Sequence, residues 1–346
     1  RAPIRNTPSR GMDTTIPPVP QTPRTILILG PTAGGKSDRA AHLAERLPGG
    51  GEIISADSMQ VYRHMDAGTA KPSPQLCQRV PHHIIDIIEP TDSFTVANWL
   101  DRTHALIASL TPQGKHAIIV GGTNLYLKAF LEGMFEGPPA DEAFRQSVAD
   151  TPAPQLHTKL RQIDPVAADR IHPNDHKRIT RALDVFHLTG RPISAWQTQW
   201  EGSGRVAQWS SGQVQGNEVE SENTSHSATG PLGHWATSPL LLGLHWPVEQ
   251  INPRINLRVK AMFFPDKARE QDVLDWWPTE SLVDETRRLH DAHLLGPQAR
   301  EALGYKQVLE HLAGQGTLDE AFEQTKIQTR RYAKAQRTWL KRYRDV

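Results

Sequence analysis

The sequence predicts an α/β protein: a doubly wound parallel sheet of the P-loop type, with an inserted helical domain and a helical C-terminal region. Three observations predict it. Continuous apolar runs alternate with helix-like stretches over residues 24–136, as parallel strands buried on both faces do between covering helices. The first run, TILIL, passes directly into GPTAGGKS, and a strand before and a helix after are the setting that a phosphate-binding loop requires. A last apolar run, LLLGLHW at 240–246, returns after a long block of different character. That block therefore interrupts the sheet and does not simply follow it.

The elements follow in order. Residues 1–23 hold five prolines before Gln21 and no apolar signal core, so a disordered tail is expected, with Met12 a candidate start. TILILG, GEIISAD (51–57), HHIIDII (82–88) and HAIIVGG (116–122) read as buried strands, with FTVANWLDRTHALIASL as a helix between the last two. After Gly133 the strands stop. Residues 137–238 form the helical insertion, clearest in LHTKLRQIDPVAADRI and in HKRITRALDVFHLTG, which Gly190 closes. Within it, 201–236 is Ser, Gly, Gln and Asn rich and is expected to be flexible. Residues 239–346 return to the core and continue as helices, with 264–281 as an extra insertion.

Composition narrows the function classes. A chain of 346 residues buries a real core, as one large domain or two modest ones. Net charge is +1, so nucleic-acid affinity must come from clustered charge. The single cysteine, Cys77, excludes a disulfide framework and a multi-cysteine zinc site and fits a reducing cytoplasm. No apolar stretch approaches the roughly 20 residues of a membrane helix.

The phosphate pattern is complete in Gly30, Gly35, Lys36 and Ser37. Glycines let backbone N–H groups converge on phosphate oxygens, and the helix N-terminus adds positive potential. Lys36 supplies a point charge, and Ser37 a hydroxyl suited to Mg²⁺. An ordinary nucleotide hydrolase adds a second strand ending in an acid. Here AIIVGG ends in glycines, and Asp86 in HHIIDII is a weak substitute. The stronger acid is Asp57, at the C-terminal end of the second strand, where an open α/β sheet places its ligand crevice. Asp57 reads either as a general base facing the phosphate loop or as a helix N-cap. Gly121, Gly122 and Thr123 mark a third strand end, as a close backbone approach or as a plain capped turn. The stretch 326–344 carries eight basic residues and no acid, a localised phosphate footprint or a solvated helix. Tyr332 and Trp339 within it are expected to pack on the core.

GPTAGGKS, ISADSMQVYR and GGTNLYLKA, in that order and spacing, with HKRITRALDVF, REALGYKQ and AKAQRTWLKR, resemble the bacterial type of the tRNA dimethylallyltransferase (IPP transferase) family over about residues 24–200 and 240–344. The resemblance implies transfer of a dimethylallyl group from dimethylallyl diphosphate to N6 of the adenosine 3′ of the anticodon (adenosine 37 of the tRNA), releasing diphosphate. It implies the tRNA anticodon stem-loop as partner and a cytoplasmic enzyme; a monomer without a membrane is expected. Gly30, Pro31, Thr32, Ala33, Gly34, Gly35, Lys36 and Ser37 would hold the diphosphate, with Ser37 on Mg²⁺. Asp57 would contact the target amine, and Ser58, Met59 and Gln60 would belong to the same tRNA strip. Thr123 and Arg145 match further tRNA contacts, as do Lys177, Arg178, Ile179, Thr180 and Arg181. Two more strips are Arg300, Glu301, Ala302, Leu303, Gly304, Tyr305 and Lys306, and Lys334, Ala335, Gln336, Arg337, Thr338, Trp339, Leu340 and Lys341. Thr32 and Arg258 join Asp57 as catalytic candidates, with Arg258 favoured over Arg254 for the leaving group.

The chemistry suits these residue types. An exocyclic adenine amine is a poor nucleophile and needs a base as its bond to carbon forms. Charge growing on diphosphate needs N–H groups and cations. Lys177 stands where the family usually has glutamine, and Ala335 where it often has arginine, which bears on RNA affinity. The zinc finger of eukaryotic members is excluded by the lone cysteine. The sequence also admits two other readings: a small-molecule or nucleoside kinase on the same nucleotide-binding loop, and a non-catalytic tRNA-binding protein that senses nucleotide.

Overall fold

The structure is a computed structural model and describes residues 23–134, 137–196, 239–266 and 278–343. The expected tail through residue 22, the segment 201–236 and most of the 264–281 insertion lie outside the described residues.

Five strands form one sheet: β1 (Thr25–Leu29), β2 (Gly51–Ala56), β3 (His82–His83), β4 (His116–Gly121) and β5 (Leu240–Gly243). Their order is β3-β2-β4-β1-β5, and every pair is parallel. In register, Ile28 lies between Val120 of β4 and Leu242 of β5. Successive β1 side chains enter opposite layers, as the two-residue period of a strand requires. Ile26 and Ile28 join Ile53, Ile118 and the alanine face (Ala40, Ala41, Ala44) of α1 (Lys36–Arg46). Leu27 and Leu29 join Ile54 and Ile119 in the larger core under α3 (Val96–Leu110) and α4 (Asn124–Glu132). The short helix α2 (Pro74–Arg79) precedes β3.

HHIIDII corrects the sequence reading. Only His82 and His83 pair with β2; Ile84 and Asp86 take positive φ, at 60° and 55°, and the chain leaves the sheet. The cause is local. Ile87 N–H donates to the Val61 carbonyl, and the Asp86 carboxylate accepts from the buried Lys71 ammonium. The acid is thereby committed to Lys71.

In the insertion, α5 (Glu142–Ser147), α6 (Ala153–Ile163), α7 (Pro165–Arg170) and α8 (His176–Thr189) share their own core, which includes Leu156, Leu160, Ile179 and Val185. After β5 come α9 (Val248–Phe263), α10 (Leu282–Asp291), α11 (Tyr305–Leu312) and the long α12 (Leu318–Leu340). The buried face of α12 is Ala321, Thr325, Thr329, Ala333 and Gln336. Thr325 and Thr329 satisfy their hydroxyls on carbonyls one turn earlier, so this small-residue face sits close to the core without stranding a donor. Among the described residues no helix is long and apolar enough to cross a membrane.

Candidate active site

The loop between β1 and α1 is built for close approach. Gly35 has φ 72° and Ala33 φ 59°, left-handed conformations that glycine adopts freely and alanine only when its surroundings impose it. Three later side chains brace the loop. Trp246 Nε1 donates to the Gly34 carbonyl at 3.1 Å, Arg254 Nε to the Ala33 carbonyl at 2.9 Å, and Arg258 Nη1 to Thr32 Oγ1 at 3.2 Å. The Arg254 guanidinium lies 5.0 Å from the centre of the Trp246 ring. Both arginines flagged by the sequence therefore face the loop. Arg254 spends its Nε on backbone, while Arg258 reaches the Thr32 hydroxyl.

Lys36 curls back, its Nζ donating to the carbonyls of Gly30 at 3.1 Å and Pro31 at 2.9 Å. Burial, and then the charge of Arg258, bring Lys36 down to about 8, with Asp57 opposing. Burial and the neighbouring Arg254 also lower Arg258, opposed by Asp38 and Asp57. An anion is what this concentration of positive charge lacks.

Asp57 follows the last residue of β2. Its Oδ1 accepts from Met59 N–H at 2.9 Å and Gln60 N–H at 3.4 Å. This is an Asx turn, and turns follow it, so the helix-cap alternative does not apply. The next strip is zipped to the end of β4: Ser58 N–H donates to Thr123 Oγ1 at 3.1 Å, and Thr123 N–H to the Ala56 carbonyl at 3.1 Å. Both glycines before Thr123 are needed for contact. A Cβ at Gly121 would fall 2.2 Å from the Ala56 oxygen, and one at Gly122 2.0 Å from Gln336 Nε2.

Two cavities meet here. The first is polar and lined by the loop from Thr32 to Asp38, with Asp57, Lys71, Gly121, Gly122, Arg254 and Arg258. The second has apolar walls that include Met59, Val259, Met262, Ala302 and Leu303. Thr32, Asp57, Arg258 and Tyr332 border both. The three catalytic candidates thus stand where an anion chamber opens onto an apolar one.

Ser37 and Asp38 line the polar chamber with Asp57, and the Ser37 hydroxyl has no hydrogen bond among the described residues. No group of three or more His, Cys, Asp or Glu side chains could hold a metal among the described residues. Such a donor set suits Mg²⁺ carried chiefly by substrate phosphate and water.

The strips that the resemblance assigns to tRNA are only partly exposed. Lys177, Arg178, Arg300, Glu301, Lys306, Lys334, Ala335, Thr338 and Lys341 are exposed. Ile179, Thr180, Ala302, Gly304, Tyr305 and Gln336 are buried and serve packing or internal hydrogen bonds. Tyr305, for example, donates its hydroxyl to the buried Glu285 carboxylate, which also accepts from the Asp66 and Ala67 N–H groups. Gln60 is spent on Ser55, Thr69 and Ala70. Arg145 and Arg181 both bind the buried Asp184 carboxylate, at 3.0 and 3.2 Å. Arg337, Leu303, Trp339 and Leu340 are half-buried, and Trp339 packs on the core and against Tyr343.

Sequence reasoning missed Trp246 and misplaced Tyr332. Tyr332 is 38% exposed at the junction of the cavities, with its hydroxyl donating to the Gly122 carbonyl at 2.8 Å. The available signal was its i, i+4 spacing from Gln336, which puts both on one helix face.

Comparison with known proteins gives a consistent assignment. The family model described as IPP transferase matches residues 60–343. A tRNA dimethylallyltransferase of Syntrophobacter fumaroxidans is 39% identical over 322 residues, covering 91% of this chain and 80% of its own. One from Geobacillus kaustophilus is 37% identical over 328 residues, covering 93% and 89%. The crystal structure of a tRNA isopentenylpyrophosphate transferase from Bacillus halodurans aligns with a TM-score of 0.56 at 35% identity, over 92% of this chain and 86% of that one. A eukaryotic dimethylallyltransferase acting on tRNA has the same fold at 23% identity, with a TM-score of 0.63 over 92% and 70%. By the extent of these matches, the chain belongs to the IPP transferase family.

Proposed function

We propose that this protein transfers a dimethylallyl group from dimethylallyl diphosphate to N6 of the adenosine 3′ of the anticodon in tRNA. One observation carries the reading: Asp57, Thr32 and Arg258 stand on the wall shared by an anion chamber and an apolar chamber. A donor with a diphosphate head and a five-carbon tail spans that junction, and a base taken out of its stack approaches from the apolar side. The N6 lone pair attacks the allylic carbon as its bond to the diphosphate oxygen breaks. The amine proton passes to Asp57, and the bonding pair leaves with diphosphate. Loop N–H groups, Lys36 and Arg258 meet the departing charge. Ser37, with the donor's own oxygens, would hold Mg²⁺, which supplies further positive charge to the leaving group when bound. Exposed Lys177, Arg178, Lys334 and Lys341 supply phosphate contacts. The relatives named as tRNA-modifying enzymes support this reading; we propose further that the enzyme is a monomer and acts in the cytoplasm, where tRNA is.

Incubation with labelled dimethylallyl diphosphate and an anticodon stem-loop, without ATP, tests it. Label entering the RNA is expected. ATP consumption with phosphate on a small product would instead identify a kinase, and RNA binding without either would identify a binding protein.

A further inference from the structure

Gln336 joins the helix that carries the basic strip to the loop that faces the anion chamber. Its side chain is 2% exposed. Oε1 accepts from Thr32 N–H at 2.8 Å, and Nε2 donates to the Gly122 carbonyl at 2.9 Å. A loop N–H needs an acceptor and a carbonyl needs a donor, so only one orientation of the amide serves both. Thr32 is also the residue whose hydroxyl Arg258 holds. On α12, exposed Lys334, two residues before Gln336, points to the opposite side of the helix, and exposed Lys341 follows its last turn. One buried amide thus links the helix that carries these lysines to a backbone N–H of the phosphate loop. Glycine at 122 is what admits the amide.

We propose that Gln336 is a positioning residue coupling RNA occupancy of α12 to the affinity of the diphosphate loop. The inference rests on the prenyl-transfer reading. RNA seated on the basic face fixes the helix, the amide fixes Thr32, and the loop then meets diphosphate with less ordering left to do. Coupling is reciprocal, so diphosphate tightens RNA binding by the same factor.

The test measures binding of inorganic diphosphate to the full chain, with and without a saturating anticodon stem-loop. In the unmodified protein the stem-loop is expected to tighten diphosphate by about 5-fold or more, the lower end of usual couplings. Gln336→Glu keeps the acceptor for Thr32 but sets oxygen against the Gly122 carbonyl, and Gln336→Leu removes both bonds. Each is expected to bind both ligands separately with the ratio reduced to about one. A ratio unchanged in these variants, or a ratio of one in the unmodified protein, overturns the proposal. Protein that binds neither stem-loop nor diphosphate overturns the prenyl-transfer reading and this inference with it. Should the variants not fold, hydrogen exchange at the Thr32 amide of the unmodified protein decides: slower exchange on adding stem-loop supports the coupling, and unchanged exchange refutes it.

Discussion

Replacing Asp57 with asparagine separates chemistry from architecture. The turn after β2 depends on Oδ1, which accepts two backbone N–H groups, and asparagine retains that oxygen. What it loses is the capacity to take a proton. General-base catalysis contributes about 10²- to 10⁴-fold, which is about 2.7–5.4 kcal/mol of transition-state stabilisation. The chemical step should fall by that factor while stem-loop affinity changes less than about threefold, because neither turn nor strip moves. Asp57→Ala also leaves two N–H groups without their acceptor, at about 0.5–1.5 kcal/mol each, so it should lower stability as well as rate. Single-turnover transfer of labelled donor to stem-loop, with RNA binding followed by anisotropy, reads both quantities. A single-turnover rate for Asp57→Asn within threefold of the unmodified protein would refute the base assignment. A rate loss matched by an equal loss of RNA affinity would refute the claim that Asp57 acts on the chemical step.

Other expectations follow from the braces and charges of the loop. Lys36, brought down to about 8 in the free protein, is an ammonium below that pH and neutral above it. Donor affinity should therefore weaken as pH rises through about 8, with donor KM increasing about fivefold from pH 8 to 9 if only the cation binds. The inflection should vanish in Lys36→Arg. Trp246→Phe keeps a ring beneath Arg254 but drops the N–H on the Gly34 carbonyl. It should raise donor KM about 2- to 10-fold with little change in kcat, measured by steady-state kinetics in donor. Gly68→Ala would place a Cβ 2.3 Å from the Tyr305 ring, and urea unfolding should show a loss of about 1–3 kcal/mol.

Much of the fold was legible because fully buried parallel strands announce themselves as unbroken apolar runs. TILIL, EIIS and AIIV needed no partner to be recognised. HHIIDII has the same composition and misleads, since Asp86 answers Lys71 and turns the backbone out of the sheet. No local pattern reports a distant ion pair. In the site, residues that act through their own motif were visible: the phosphate loop, Asp57 and Thr123. Gln336 and Trp246, which act by reaching another element, were hidden in that role. Gln336 sits in a basic helix and reads as an RNA contact, yet a row of small residues at 321, 325, 329 and 333 marks the side on which that helix is buried. Extending the row one turn puts a polar side chain inside. Trp246 is joined to the loop only through tertiary contacts, which sequence spacing does not record.

The braces of the phosphate loop arrive late in synthesis. The motif at 30–37 leaves the ribosome early, but Leu244, Trp246, Arg254, Arg258 and Gln336, which pack against it or bond to it, lie more than two hundred residues further on. Chains emerge N-terminus first and fold as units. A nascent or prematurely terminated chain therefore carries the nucleotide signature without the geometry that shapes it, and lacks Gln336 until the last turns of α12 are made. The phosphate loop therefore gains its full set of braces only when the chain is finished.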